Sequence, residues 1–312
     1  MPQPRNEPVA FLNGRFVPQS SAMIPVYDAG FMLGATVSEQ LRTFQGRLFR
    51  LDEHLARLEG SLAIVGNPLP MPLAELASIA QELVARNHKL LPAGDDLGLS
   101  MFVTPGPYAT LAGRDAKGAG PTVGLHTYPL PFQLWRDKYE SGEKLATPQI
   151  RQVPSECWPA QLKCRSRMHY YLADKEANRA QPGSRALMLD LSGNVLETST
   201  ANLLVYHAAR GITIPPLATV LLGISLAATL EIAAARQLKV SEAPLSIEDV
   251  ETADEVLLAS TPYCLLPATR VNDSIIGGGQ PGAVYHSLLS GWNELAGFDI
   301  AEQARSVSIE AR

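Results

Sequence analysis

Apolar and polar residues change period several times along the chain, and each change predicts an element. Residues 9–17, V-A-F-L-N-G-R-F-V, predict a hairpin turning on Asn13-Gly14, because Asn-Gly accepts the positive φ angles of a tight turn. Val37–Phe44 and residues 47–50 read as paired strands joined at Gln45-Gly46. From Leu51 the period lengthens. Leu55, Leu58, Leu62 and Val65 recur at helical spacing, with Asp52 as N-cap or first-turn acid. A second amphipathic helix over 72–91 carries Leu73, Leu76, Ile79 and Leu83 and closes before Pro92-Ala93-Gly94. Strands are predicted at Leu97–Thr104 and 123–128. The glycine- and proline-rich run between them, P-G-P-Y-A-T-L-A-G-R-D-A-K-G-A-G-P, reads as a long mobile loop.

Pro129-Leu130-Pro131 breaks the pattern. It predicts an interdomain linker over 129–134, with a smaller domain at 1–128 and a larger one at 135–312. The second half starts with strand-like residues 145–153 and passes through P-S-E-C-W-P-A-Q-L to Lys163. Met168, Leu172 and Ala177 then space like the buried side of a helix. Residues 186–189 and 195–197 pair across Ser192-Gly193-Asn194, and 202–206 form a hairpin with Gly211–Ile214. A long Ala/Leu helix over 224–238, a buried strand over 255–259 and a closing helix over 286–295 complete the chain. Strands and helices mix throughout, so the fold class is α/β (α+β).

Composition narrows the function. The chain has 312 residues, 46% of them hydrophobic, enough for two subdomains with a sizeable core. Its net charge of -5 comes from interspersed residues, which gives nucleic acid no basic surface. Cys157, Cys164 and Cys264 are odd in number and lack metal-ligand spacing, which suits a reducing compartment and predicts no metal site. With no apolar leader and no apolar run of membrane-spanning length, a soluble, cytoplasmic protein is expected.

The chemistry concentrates between Lys163 and Ser225. Lys163 opens K-C-R-S-R-M-H-Y-Y-L-A-D-K-E-A, Glu197 precedes T-S-T-A-N, and Gly223-Ile224-Ser225 opens a helix. A lysine can form an imine with an aldehyde and move a proton at the substrate's α-carbon. A carboxylate can keep a pyridine nitrogen protonated, and a helix start can hold a phosphate. These are the needs of pyridoxal 5'-phosphate. In their order and spacing, Lys163, Glu197-x-x-x-x-Asn202 and L-x-G-I-S resemble the class IV (fold type IV) aminotransferases, over about residues 11–292. That family includes branched-chain and D-amino acid aminotransferases and aminodeoxychorismate lyase.

The resemblance implies a two-domain fold with the cofactor between a smaller N-terminal and a larger C-terminal domain, and a homodimer. It implies Lys163 as the catalytic lysine. It also implies Arg57, in His54-x-x-Arg57-Leu58, and Thr261 as phosphate contacts, with Arg151 near the ring hydroxyl. Leu226 stands where a basic residue is usual in the phosphate loop, and Leu204 where an aromatic is usual after Asn202. On its own an arginine on a helix is a solvated charge; the motif argues otherwise, since a planar bidentate donor suits phosphate. His54, His169 and Tyr170 are further residues that could face the site, though a lone His or Tyr is more often structural.

The substrate side departs further. Arginines that the branched-chain and D-amino acid enzymes use for the substrate carboxylate have no counterpart at Leu97–Thr104 or at Thr104-Pro105-Gly106. Ser38 stands where those families place an aromatic. Pro262, beside Tyr263, has no N–H for the carboxylate. Arg42, sharing a strand face with Ser38 and Gln40, and Arg114 from the long loop are the replacements on offer. The favoured reading is an aminotransferase moving an amino group from an amino acid, branched-chain or otherwise apolar, to a 2-oxo acid. An aminodeoxychorismate-type lyase and a catalytically silent binding protein are the alternatives.

Overall fold

A computed structural model of the chain describes residues 7–113 and 120–307. Contacts divide the chain into two units, Met1–Leu130 with Leu162–Ser166, and Pro131–Gln161 with Arg167–Arg312. Residues 162–166, expected in the second domain, therefore belong to the first. Arg114 lies outside the described residues, as do residues 115–119 of the predicted mobile loop, whose described part holds a short helix at Ala109–Ala112.

The first unit is a sheet with helices on one face. Its strands are β1 (Val9–Leu12), β2 (Arg15–Pro18), β3 (Val37–Phe44), β4 (Arg47–Leu48), β5 (Leu97–Thr104) and β6 (Thr122–Pro129). They order β2-β1-β6-β5-β3-β4, and every pairing is antiparallel. Its helices are α1 (Ala29–Met32), α2 (Leu51–Val65), α3 (Leu73–His88) and α4 (Ala109–Ala112). Helix α2 forms where the leucine stripe predicts it. It follows Arg50, a left-handed residue with φ 49° and no side-chain cap, and ends at left-handed Gly66, so Asp52 is a first-turn acid. Leu55, Leu58 and Leu62 from α2 and Leu76 and Leu83 from α3 pack on Val37, Leu41, Leu99, Met101 and Leu125 of the sheet. Buried Asp96 shapes the β3–β4 turn by accepting the Gln45 and Gly46 amides at 3.1 and 3.0 Å and the Thr43 hydroxyl.

The second unit holds α5 (Lys138–Ser141), β7 (Glu143–Ala146), α6 (Met168–Ala180), β8 (Arg185–Leu189), β9 (Val195–Thr198), β10 (Asn202–His207) and β11 (Gly211–Ile214). It continues with α7 (Ile224–Ala235), β12 (Val240–Glu242), α8 (Ile247–Glu251), β13 (Glu255–Ser260), β14 (Cys264–Val271), β15 (Ser274–Ile275), α9 (Ala283–Ala296) and α10 (Ile300–Ser306). The strands order β12-β11-β10-β13-β14-β7-β8-β9, and β9 also pairs β10 through Glu197↔Asn202. Strands β10, β13, β14, β7, β8 and β9 thus form a closed circuit, and a closed circuit leaves no exposed edge among them.

Two expectations change here. The predicted strand over 145–153 ends at Ala146, since β7 has two parallel neighbours only through that point. On α6 the buried residues are Ala173 and Ala177, whereas Met168 and Leu172 are 67% and 45% exposed. Small side chains let the helix approach β8 closely, against Ala146, Ala186 and Met188. Among the described residues no helix is long and apolar enough to cross a membrane.

Leu58 is fully buried at the centre of the first unit's core. Leu58→Ala should destabilise the protein by about 3 kcal/mol in urea unfolding; a loss below about 1 kcal/mol would show that the α2–sheet interface relaxes around the cavity.

Candidate active site

In the first unit the site grows from a carboxylate buried inside the sheet–helix layer. Glu39, on β3, points to the helix face and is 0% exposed. Its oxygens accept Arg57 Nε and Nη2, each at 2.7 Å, and His54 Nδ1 at 2.7 Å. Burial alone would raise the Glu39 carboxyl, but the hydrogen bonds from Arg57 and His54 and the nearby positive charge hold it at about 2. Burial pushes the His54 imidazole down, Glu39 opposes this, and the charges of Arg57 and Lys163 lower it further. The permanent charge of Arg57 therefore balances Glu39, and His54 is a neutral ring donating Nδ1–H, since an ionised carboxylate can only accept.

The segment carrying Lys163 is an extended strip laid along the start of β3. Ser38 N–H donates to the Lys163 carbonyl at 3.0 Å, Arg165 N–H to the Thr36 carbonyl at 2.8 Å, and Val37 bridges Cys164. The Lys163 amide reaches the Ser61 hydroxyl of α2 at 3.2 Å. His54, Arg57 and Ser61 lie three and four residues apart, so one stripe of α2 holds both Glu39 and the lysine's backbone. This unit also contains Ser38, 3% exposed, and Arg42, 1% exposed. Arg42 Nε donates to the Thr43 carbonyl at 3.1 Å and its guanidinium lies 4.3 Å over the Phe44 ring.

In the second unit the site lies where the strand circuit closes. Glu197 Oε1 accepts the Tyr170 hydroxyl at 2.8 Å and Gln152 Nε2 at 3.0 Å. Burial raises Tyr170 well above a phenol's ordinary value and the charge of Glu197 adds to it, so the hydroxyl stays a donor. Asn202 Nδ2 reaches Glu197 Oε2 at 3.4 Å and the Leu221 carbonyl at 2.7 Å, tying the carboxylate to the turn before α7. Gly223 is the N-cap of α7, followed by buried Ile224 and Ser225, with no side-chain cap. A Cβ on Gly223 would collide with Asn202 Oδ1, so only glycine lets the two approach.

Thr261 and Pro262 form the β13–β14 turn with buried Tyr263. Ser260 Oγ ties that turn to the Thr200 carbonyl at 2.6 Å. Arg185 joins the same region, reaching the Thr200 and Tyr263 hydroxyls. Arg167 donates to the Ser199 carbonyl and stacks 4.6 Å over the Tyr170 ring. Arg151 Nη1 donates to the Pro148 carbonyl at 2.7 Å, one residue before Gln152.

The structure thus gathers Glu197, Gly223, Ile224 and Ser225 through Asn202, and brings Thr261 beside the turn that follows Glu197. Glu39, Gln152 and Arg185 escaped the sequence reading: a buried acid on a strand, an amide in a loop and an arginine opening a strand carry no local signal. These residues fit pyridoxal phosphate. Glu197 is a carboxylate held in place by three donors, the uncapped start of α7 offers amides and the Ser225 hydroxyl for phosphate, and Gly223 lets Asn202 sit against that helix start.

The family model for amino-transferase class IV matches residues 36–271. The chain is 27% identical over 279 residues to a Methanocaldococcus jannaschii protein provisionally described as a branched-chain-amino-acid aminotransferase, covering 89% of this chain and 93% of that one. It is 29% identical over 289 residues to the D-alanine aminotransferase of Bacillus licheniformis, covering 89% and 96%. The fold is similar to that of a branched-chain amino acid aminotransferase from T.th. solved with pyridoxamine 5'-phosphate, with a TM-score of 0.83, 23% identity and 93% and 95% coverage.

Glu39, ordinarily at 4.5 and held near 2 when folded, contributes stability that is present above about pH 4.5 and lost as pH falls towards 2. Glu39→Gln should lower stability at pH 7 by on the order of 3 kcal/mol. It should also flatten the acid slope between pH 4.5 and 2 in urea unfolding. Equal acid slopes in the two proteins would show that Glu39 ionisation is not linked to folding.

Proposed function

The chain belongs to the class IV aminotransferases and is a pyridoxal-phosphate-dependent transaminase; we propose that it carries an amino group from an apolar amino acid to a 2-oxo acid, with Lys163 as the catalytic lysine. The relatives named for branched-chain amino acids and for D-alanine support an apolar donor. The observation that carries the reading is Glu197, held by Tyr170, Gln152 and Asn202 and linked through Asn202 to the glycine-started helix.

When bound, pyridoxal phosphate supplies an aldehyde for the amine and an electron sink for the substrate's α-carbon. Lys163 Nζ would provide the amine for the cofactor's aldehyde and would move the proton at the substrate's α-carbon. Glu197, kept in register by a protonated Tyr170, would offer its carboxylate to the ring nitrogen. The α7 start, through Gly223, Ile224 and Ser225, would bind the phosphate, with Thr261 and Arg57 as the further contacts the resemblance implies. Arg57 is held for this by Glu39, which takes its Nε and Nη2 edge. Arg151 would serve the ring hydroxyl, as the family resemblance implies.

We further propose a homodimer in the cytoplasm. Met23, Val26, Phe31 and Leu33 are 74%, 77%, 69% and 58% exposed within one short stretch of the first unit. A second copy of the chain is the natural cover for such a surface. Cysteines 157, 164 and 264 form no disulfide, in keeping with a reducing compartment.

The purified protein should carry a visible cofactor band that shifts on adding the correct L- or D-amino acid, without any 2-oxo acid. In Lys163→Arg turnover should fall at least about 1,000-fold. Turnover near the wild-type rate in that variant would remove Lys163 from the chemistry. Separately, sedimentation velocity should find a dimer that Val26→Asp with Phe31→Asp converts to monomer; a monomeric wild type would sink the dimer.

A further inference from the structure

The first unit's sheet has a second face, opposite the core helices, and it is built unlike a surface. Register sets three rows across β3, β5 and β6: Ser38, Phe102 and Gly124; Gln40, Ser100 and His126; Arg42, Gly98 and Tyr128. A Cβ on Gly124 would collide with the Phe102 ring, and one on Gly98 with the Tyr128 ring. Both rings therefore lie down over glycines instead of standing away from the sheet. Between them runs a polar chain. Tyr128 donates its hydroxyl to Gln40 Oε1 at 2.9 Å, Gln40 Nε2 donates to Ser100 Oγ at 2.9 Å, and Arg165 Nη2 donates to the same Ser100 Oγ at 3.2 Å.

We infer that Arg165 on this face takes the carboxylate of the amino acid and 2-oxo acid, in place of the family arginines that the chain lacks. This rests on the proposed role of Lys163. Arg165 is an exposed residue whose guanidinium is seated on Ser100. Its charge bears on His126 and Tyr128: burial first, and then Arg165, lowers His126, so the imidazole beside it is neutral and adds no competing charge. Arg42, which strand alternation puts on the same face, is withdrawn from solvent and turned onto Phe44. Lys163 and Arg165 belong to one extended strip pinned by backbone bonds to Thr36 and Ser38. Two residues along such a strip span roughly 7 Å, a separation that two long side chains can close onto a molecule carrying an amine and a carboxylate on one carbon. The planar fork of arginine takes a carboxylate with two parallel hydrogen bonds, which a lysine cannot reproduce.

The test uses the holoenzyme and three variants, Arg165→Gln, Arg165→Lys and Ser100→Ala, each first checked for the wild-type cofactor band and melting temperature. Calorimetric titration with a saturated carboxylic acid bearing neither amino nor oxo group reads binding without turnover. Arg165→Gln should weaken that acid by about 10- to 100-fold, with Arg165→Lys recovering only part of it. In single-turnover assays the amino acid should lose a similar factor in Arg165→Gln, while the matching primary amine, lacking the carboxylate, should react unchanged. A dicarboxylic amino acid compared with its apolar analogue separates recognition of the α-carboxylate from recognition of a side-chain carboxylate; only equal losses for both support the α-carboxylate. Should Arg165→Gln fail to fold, Ser100→Ala, which unseats the guanidinium, should weaken the acid several-fold. Unchanged acid binding in a folded Arg165→Gln would overturn the proposal and leave the transaminase reading intact. Absence of any amino-acid-induced band shift in wild type would instead strike at the Lys163 reading, while the calorimetric result still judges Arg165.

Discussion

A carboxylate with no access to water sits between the first sheet and its covering helix, and the candidate site on that unit depends on it. An unpaired buried charge would cost several kcal/mol, so Glu39 survives only because α2 presents Arg57 and His54 to it. That requirement fixes the rotation of α2. A helix turned by one residue would put leucines against the carboxylate and a guanidinium into the core. With the rotation set, Ser61, on the same stripe, meets the Lys163 amide. One ion pair thereby positions an arginine suited to phosphate and the backbone of the lysine.

The second unit solves a comparable problem by topology. Its strands close into a circuit, and the closing pair is Glu197 with Asn202. At such a junction the ladder is short and side chains must complete what the backbone leaves. Asn202 does so twice, towards Glu197 and towards the turn before α7. A carboxylate and a helix N-terminus separated by 26 positions in the chain are held together by one amide side chain and by the absence of a side chain at Gly223.

The polar face of the first sheet shows how glycines on two strands make room for rings and hydrogen bonds to lie across it. Where a bulky residue on β5 would stand up from the sheet, Gly98 lets Tyr128 lie flat. That ring and Phe102 make a floor, and Gln40 and Ser100 carry hydrogen bonds across it to Arg165. The guanidinium comes from the strip that carries Lys163 instead of from a strand of the sheet.

What the sequence determined by itself is whatever local periodicity and short motifs encode. The leucine stripe of α2, the Asn13-Gly14 turn and the order of Lys163, Glu197-x-x-x-x-Asn202 and Gly223-Ile224-Ser225 all lie within a few residues or in a set order along the chain. That was enough for the family, the mixed class and the cofactor. Tertiary structure decided what depends on which distant residues meet. Residues 162–166 joined the first unit because their backbone completes β3, a choice that no hydrophobic pattern signals. The buried side of α6 went to Ala173 and Ala177, not to the larger Met168 and Leu172, because close packing against β8 outweighs hydrophobic area there. Glu39 and Arg165 read in the sequence as one acid and one base among many. Only the register of β3 with β5, and the helix laid across it, gave each a partner 18 or 65 positions away.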